Sequence, residues 1–169
     1  MFLVETDRLL ISQLTIEDAS FIFKLVNSPS WLEHIGDRNV KNIDDARRYI
    51  EQGPLKSYKQ WGFGPYKVVL KNTNTAIGMC GLLKREILED VDLGFALLPF
   101  YTGHGYAYEA AAGVLQFAQH QLGLQRVIAI TTANNVSCLT LLQKLGFRFE
   151  RTLRFYNKDA LLLATDADQ

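Results

Sequence analysis

VDLGFALLPFYTGHGYAYE, residues 91–109, is the stretch on which the reading of the chain turns. Val91, Leu93, Phe95 and Leu97 alternate with Asp92, Gly94, Ala96 and Leu98, the period-two pattern of a strand with one richer apolar face. Pro99 has no N–H to give to a ladder and stops it. Gly103 and Gly105 mark a short turn. Ala107, Ala111, Val114, Leu115, Ala118 and Leu122 then form one apolar stripe at helical spacing, and Gly123 reads as the glycine just past the helix end. A strand that feeds a glycine turn and opens a helix suits an anion. The first N–H groups of a helix lack intrahelical acceptors and sit at the positive end of its dipole, and glycines let the backbone approach closely. The expected ligand is a pyrophosphate, cradled by the main chain of Gly103, His104, Gly105, Tyr106 and Ala107. The alternative is a tight turn that needs glycine only for its dihedrals.

The chain has 169 residues, 18 Lys plus Arg against 18 Asp plus Glu, and 48% apolar side chains. That length fits one domain, residues 1–169, with a sizeable core. The charge balance favours neither nucleic acid nor an anionic membrane as partner. No apolar run is long enough to span a bilayer. MFLVETDRLL lacks a basic segment followed by a cleavable apolar one, and the expected compartment is the cytoplasm. Cys80 and Cys138 are expected as free thiols. His34, His104 and His120 have no metal-ligand spacing, so no metal is expected.

Around the opening stretch the elements fall in the order β-α-α-β-β-β-α-β-α-β-β. The first strand is Arg8–Leu14. Thr15 caps a helix carrying Phe21, Ile22, Leu25 and Val26. A second helix runs from Ile43 to Gln52, where Gly53-Pro54 breaks it. Phe63–Leu70 and Ala76–Lys84 form a hairpin across residues 71–75. Arg126–Thr131 is a compact buried strand. Asn134 to Ser137 open another helix, which Gly146 ends, and Phe147–Tyr156 and Ala160–Thr165 close the chain. Such an order makes a single α/β domain with a mixed sheet.

Three stretches carry a family resemblance: ETDRLLISQLTIEDA (residues 5–19), LGFALLPFYTGHGYAYEAA (residues 93–112) and NNVSCLTLLQKLGF (residues 134–147). Together they resemble the GNAT superfamily of N-acetyltransferases, in its ribosomal-protein-alanine-acetyltransferase-like branch. The resemblance implies a mostly antiparallel mixed sheet, flanked by helices and splayed between its fourth and fifth strands, here Val91–Leu98 and Arg126–Thr131. It implies acetyl-CoA as cofactor, with its pantetheine arm on unpaired main-chain groups of Leu97 and Leu98, its pyrophosphate on the glycine turn and a hydrogen bond from Asn134. It implies transfer of the acetyl group to a primary amine, a protein N-terminal α-amine or a small molecule. Trp31, Glu33 and His34 lie where relatives bind the acceptor. The protein is expected as a monomer or homodimer.

Acyl transfer from a thioester needs a neutral amine, and free amines are mostly protonated at neutral pH. A carboxylate must therefore take a proton. Asp92 is the first candidate, on one strand face with the small Gly94 and Ala96, and Glu89 and Asp90 are fallbacks. The alternative is a solvent-facing strand carboxylate. Ser137 is the candidate for protonating the leaving thiolate, or else a helix-capping residue. The sequence departs from the family at Phe100, where Gln or Arg is usual, at His104, where a basic residue is frequent, and at Leu142, the place of a general-acid tyrosine. Those departures keep open a non-catalytic acyl-CoA-binding domain. Gly103-x-Gly105 also resembles the start of a dinucleotide fingerprint, but Tyr108 occupies the third glycine position and no acid ends the strand RVIAITT.

Overall fold

In a computed structural model that describes residues 2–166, eight strands form one sheet in the order β1-β2-β3-β4-β5-β6-β8-β7. The strands are β1 (Phe2–Glu5), β2 (Leu9–Gln13), β3 (Pro65–Leu70), β4 (Thr75–Leu83), β5 (Asp92–Leu97), β6 (Ile128–Thr131), β7 (Arg148–Phe155) and β8 (Lys158–Ala164). All neighbours are antiparallel except β5 and β6. The helices are α1 (Ala19–Val26), α2 (Pro29–His34), α3 (Ile43–Ile50), α4 (Lys56–Trp61), α5 (Tyr106–His120) and α6 (Val136–Lys144).

The alternation of β5 divides the core. Leu93 and Leu97 pack on one sheet face with Ala110, Ala111, Val114 and Ala118 of α5. Ala96 lies on the other, with Met79 of β4 and Ile22, Leu25, Ala46 and Ile50 of α1 and α3. The α5 stripe faces inward as its spacing requires. Thr15 Oγ1 accepts from Glu17 N–H, and Asp18 answers by accepting from Thr15 N–H, a capping box. Gly123 and Gly146 take positive φ after α5 and α6.

Two expectations need correction. β1 was not expected; it pairs with β2, so the splayed strands are the fifth and sixth, not the fourth and fifth. Pro54 does not break the chain's helical course. Residues Glu51–Leu55 make a π-type turn between α3 and α4, and Pro54 is buried within it. A widened turn tolerates the missing N–H that an α-turn would need. Pro29–His34 is a helix with Pro29 in its first turn, where no N–H is required.

Candidate active site

β5 and β6 share a single register pair, Asp92 with Ile128. Ile128 N–H donates to the Val91 carbonyl at 3.0 Å, and beyond that pair the strands part. The gap opens into a cleft of about 1380 Å³ walled by β5, by Ala129–Thr131 of β6 and by the first turn of α5. Single-ligand pockets run to roughly 300–1,000 Å³, so this cleft has room for two substrates.

Backbone groups of an antiparallel strand point alternately to either neighbour. Leu98 N–H donates to the Ile77 carbonyl of β4 at 2.8 Å, so even-numbered residues of β5 face β4. Odd-numbered ones face the gap, as Val91 does. Leu97 therefore turns its N–H and C=O into the cleft. Leu98 does not: its carbonyl accepts from Tyr101 N–H at 3.0 Å, both its main-chain groups are engaged, and its expected part in holding the pantetheine arm is corrected.

The turn has the backbone that its glycines predict. Gly103 and Gly105 sit at φ +82° and +81°, and Gly105 is the N-cap of α5. The first intrahelical bond runs from Glu109 N–H to Gly105 C=O, 3.1 Å. It leaves the N–H groups of Tyr106, Ala107 and Tyr108 unclaimed by the helix. Gly103, Gly105, Tyr106 and Ala107 line the cleft. His104 is exposed and off the cleft wall, and its carbonyl accepts from Arg8 Nη1 at 2.9 Å.

Arg8 was legible in the sequence only as the start of a strand. In the fold it ties the turn to β2. Its Nε donates to Glu109 Oε1 at 2.7 Å, and its guanidinium lies 4.4 Å from the centre of the Tyr106 ring. Burial alone would raise the Glu109 carboxyl, but it accepts from Thr6 Oγ1 (2.5 Å), Arg8 N–H (2.8 Å) and Arg8 Nε. Those bonds and the guanidinium charge hold its pKa below the usual value.

Asp92 is 3% exposed, so it is no solvent-facing strand carboxylate. It shares its face with Gly94 and Ala96, opposite Leu83, Gly81 and Met79 of β4. A Cβ on Gly94 would meet only Leu83, at 3.5 Å, so the face beside Asp92 is open. Oδ2 accepts from Arg85 Nε at 3.3 Å, while Oδ1 is buried without a hydrogen-bond partner. Burial pushes the carboxyl pKa up, against the opposing pull of Arg85. A carboxylate with a raised pKa and one free oxygen on a cleft wall has the attributes of a general base.

Of the remaining expected residues, Trp31 and His34 line the cleft and Glu33 does not. Glu33 is exposed and reaches His34 at 3.8 Å. Asn134 is off the wall too, its Oδ1 taken by Thr132 Oγ1 at 2.5 Å. Asn135 stands on the wall instead and caps α6, accepting from Cys138 N–H. Ser137 is exposed on the wall; its hydroxyl donates to Asn135 Oδ1 at 3.4 Å, so it is not the cap. Leu142 is buried on the wall where a phenol was the family's pattern. Cys80 is fully buried, and its thiol pKa is pushed far above the ordinary range by desolvation, which fits the expected core role. Among the described residues no cluster of His, Cys, Asp and Glu could hold a metal, and no helix is long and apolar enough to cross a membrane.

The chain is similar to known proteins in sequence and in fold. The chain is 27% identical over 155 residues to YoaA of Bacillus subtilis (strain 168), named an uncharacterized N-acetyltransferase, covering 91% of this chain and 87% of that one. It is 25% identical to p20 of Bacillus licheniformis, also named an uncharacterized N-acetyltransferase, over 90% and 86% of the two chains. Among solved structures, a GNAT-family acetyltransferase from Bordetella pertussis superposes with a TM-score of 0.83 at 22% identity, over 97% and 98%. The RimL ribosomal L7/L12 α-N-protein acetyltransferase, in complex with coenzyme A, superposes at 0.84 with 14% identity, over 99% and 100%. A largely antiparallel sheet is incompatible with the dinucleotide-fold reading, which needs a parallel one. The profile of the acetyltransferase (GNAT) domain matches residues 8–148, which take in the splayed strands, the glycine turn and Asp92, and the chain belongs to that family of acetyltransferases.

Proposed function

We propose that the protein moves an acetyl group from acetyl-CoA to a primary amine by direct attack of the amine nitrogen on the thioester carbonyl. The observation that carries this reading is Asp92, a buried carboxylate with a free Oδ1 on the wall of the cleft that also holds the glycine turn. Family membership makes acetyl-CoA the donor. The chain's groups fit it: Leu97 offers main-chain groups for the pantetheine arm, and the free N–H groups of Tyr106–Tyr108 suit the pyrophosphate. Lys144, on the cleft wall and without an ion-pair partner among the described residues, adds charge for the phosphates.

Asp92 takes a proton from the amine through water, because roughly 16 Å of β5 separates it from Leu97. The nitrogen forms the new C–N bond, the C–S bond breaks, and the sulfur leaves as thiolate. Leu97 N–H polarises the thioester carbonyl. With Leu142 in the tyrosine place, the thiolate collects its proton from Ser137 or from water. The acceptor is a peptide N-terminal α-amine or a small-molecule amine. RimL is named for an α-amine of a ribosomal protein, and another structural neighbour is named for spermidine.

The test is thiol release from acetyl-CoA with a panel of free amines and peptide N-termini, beside calorimetry for acetyl-CoA alone. Amine-dependent release is expected. Binding without release from any amine would remove the transfer reaction.

A further inference from the structure

The chain as a whole is neutral, with 18 basic and 18 acidic side chains. Its cleft is not. Arg38, Lys56, Lys84, Arg85, Lys144 and Lys158 line it, and among the described residues Asp92 is the sole carboxylate that does. Lys144 belongs to the cofactor half. Others gather round Asp92. Lys84 and Arg85 follow the end of β4, where Leu83 is in register with Asp92. Arg38 and Arg85 both lie close enough to the Tyr49 phenol to oppose the effect of its burial. Phe155, in register with Lys158, carries the Arg85 guanidinium 5.1 Å from its ring centre.

The phosphates of the donor do not explain these cations. Strands rise about 3.3 Å per residue, so roughly 16 Å of β5 separates Asp92 from Leu97, and the glycine turn lies further on. The protein's own carboxylates do not explain them either. Arg38, Lys56 and Lys158 have no ion-pair partner among the described residues, and Arg85 meets Asp92 through Nε alone. Trp31 adds a buried indole N–H on the same wall with no acceptor. Donors and positive charge thus surround one carboxylate with a free oxygen.

We propose that the acceptor is a small amine that carries its own carboxylate or phosphate, with its anionic group on Arg38 and the outer edge of Arg85 and its nitrogen on the Leu97 side, linked to Asp92 through water. This rests on the reading of Asp92 as the base. The substrate's two charges then match the two charges of the Asp92–Arg85 pair. Guanidinium forks suit carboxylate and phosphate oxygens. A polyamine would bring further positive charge against the same cations, with no second carboxylate to receive it.

Acceptors paired by charge test it: O-phosphoethanolamine against ethanolamine, glutamate against its diamide, an amino sugar phosphate against the free amino sugar. Spermidine and an acidic peptide with a free N-terminus complete the panel. The expected result is kcat/KM at least ten-fold higher for the anionic member of one or more pairs. That preference should shrink with added salt and on Arg38→Gln, and persist in Arg47→Gln, an exposed α3 arginine paired with Asp44 away from the cleft. Both arginines are exposed, so both variants should fold. Equal use of the neutral members, a preference for spermidine, or turnover of the peptide alone would overturn the proposal. Acetyl-CoA binding without turnover of any anionic amine would overturn it too. Failure to bind acetyl-CoA would instead strike the acetyl-transfer reading beneath it.

Discussion

Asp92→Asn separates catalysis from architecture. A positioned general base contributes about 10²–10⁴ in rate, or roughly 3–5 kcal/mol of barrier, and the nearly isosteric amide removes that function without leaving a cavity. Kcat should therefore fall at least a hundred-fold, while the Kd for acetyl-CoA, which rests on Leu97 and the α5 N-terminus, stays within about two-fold. The sign on stability is opposite to that of an ordinary paired carboxylate. Burial raises the Asp92 pKa, so the folded state binds its proton more tightly than the unfolded chain does. The charged form thus costs stability, a cost that grows as pH rises from the normal carboxylate range through the raised pKa. The amide escapes it, and Arg85 keeps its contact with Phe155 and with solvent. The variant should melt at or above the parent temperature near neutral pH, and the advantage should vanish in acid. The assays are thiol-release kinetics between about pH 5 and 9, calorimetry for acetyl-CoA and thermal melts on the same samples. In the parent, kcat at saturating acceptor should rise with pH as Asp92 deprotonates, and the variant should lose that limb. A kcat within about three-fold of the parent with an unchanged pH profile would refute Asp92 as the base. A collapse in melting temperature would show the carboxylate to be structural.

Gly105→Ala puts a Cβ at φ +81°, 3.3 Å from Arg8 Nη2; left-handed backbone costs about 1–2 kcal/mol, so acetyl-CoA affinity should drop about ten-fold by calorimetry. Gly103→Ala, at a similar φ but with open space around its Cβ, should lose less. Glu109→Gln weakens the bonds from Thr6 and Arg8 and should cost about 1–2 kcal/mol, seen as a lower melting temperature. The Glu109 pKa is depressed, so its contribution is present above the ordinary carboxylate pKa and lost as pH falls through the folded value; the variant should lack that acid-side slope. Cys80→Ala should keep acetyl transfer, with intersecting initial-rate patterns and no acetyl-enzyme, because the buried thiol is no nucleophile; parallel patterns would contradict direct attack.

What the sequence made legible was what neighbours in sequence decide. Period-two alternation predicted β5, the turn-rich residues 71–75 predicted the β3–β4 hairpin, and the α5 stripe predicted which face meets the sheet. Gly103, Gly105, Gly123 and Gly146 predicted positive φ, and each has it. The failures came where context overrides local rules. Four residues of β1 carry too little pattern to declare a strand; β1 owes its place to pairing with β2. Gly53-Pro54 reads as a break, yet Pro54 is buried and a widened turn carries the chain through it. Asn134 and Asn135 are adjacent and alike, and only the way the chain enters α6 decides which one faces the cleft.

The site divides along the same line. Its donor half is backbone: one strand whose odd residues face a gap, one turn in left-handed conformation and one helix start. All three are written within residues 91–109, which is why that stretch contributes one of the three motifs that carry the family resemblance. The side chain that steadies this half, Arg8, comes from the bend between β1 and β2, 101 positions away from Glu109, and leaves no local signature. The acceptor half is made almost entirely that way. Trp31 and Arg38 precede α3, Tyr49 lies on it, Arg85 leads into β5 and Lys158 opens β8. Each is an ordinary residue in its own segment, and only the assembled fold brings them to one cleft. The family match therefore identifies an acetyltransferase and is silent on the acceptor, whose charge has to be read from that cleft.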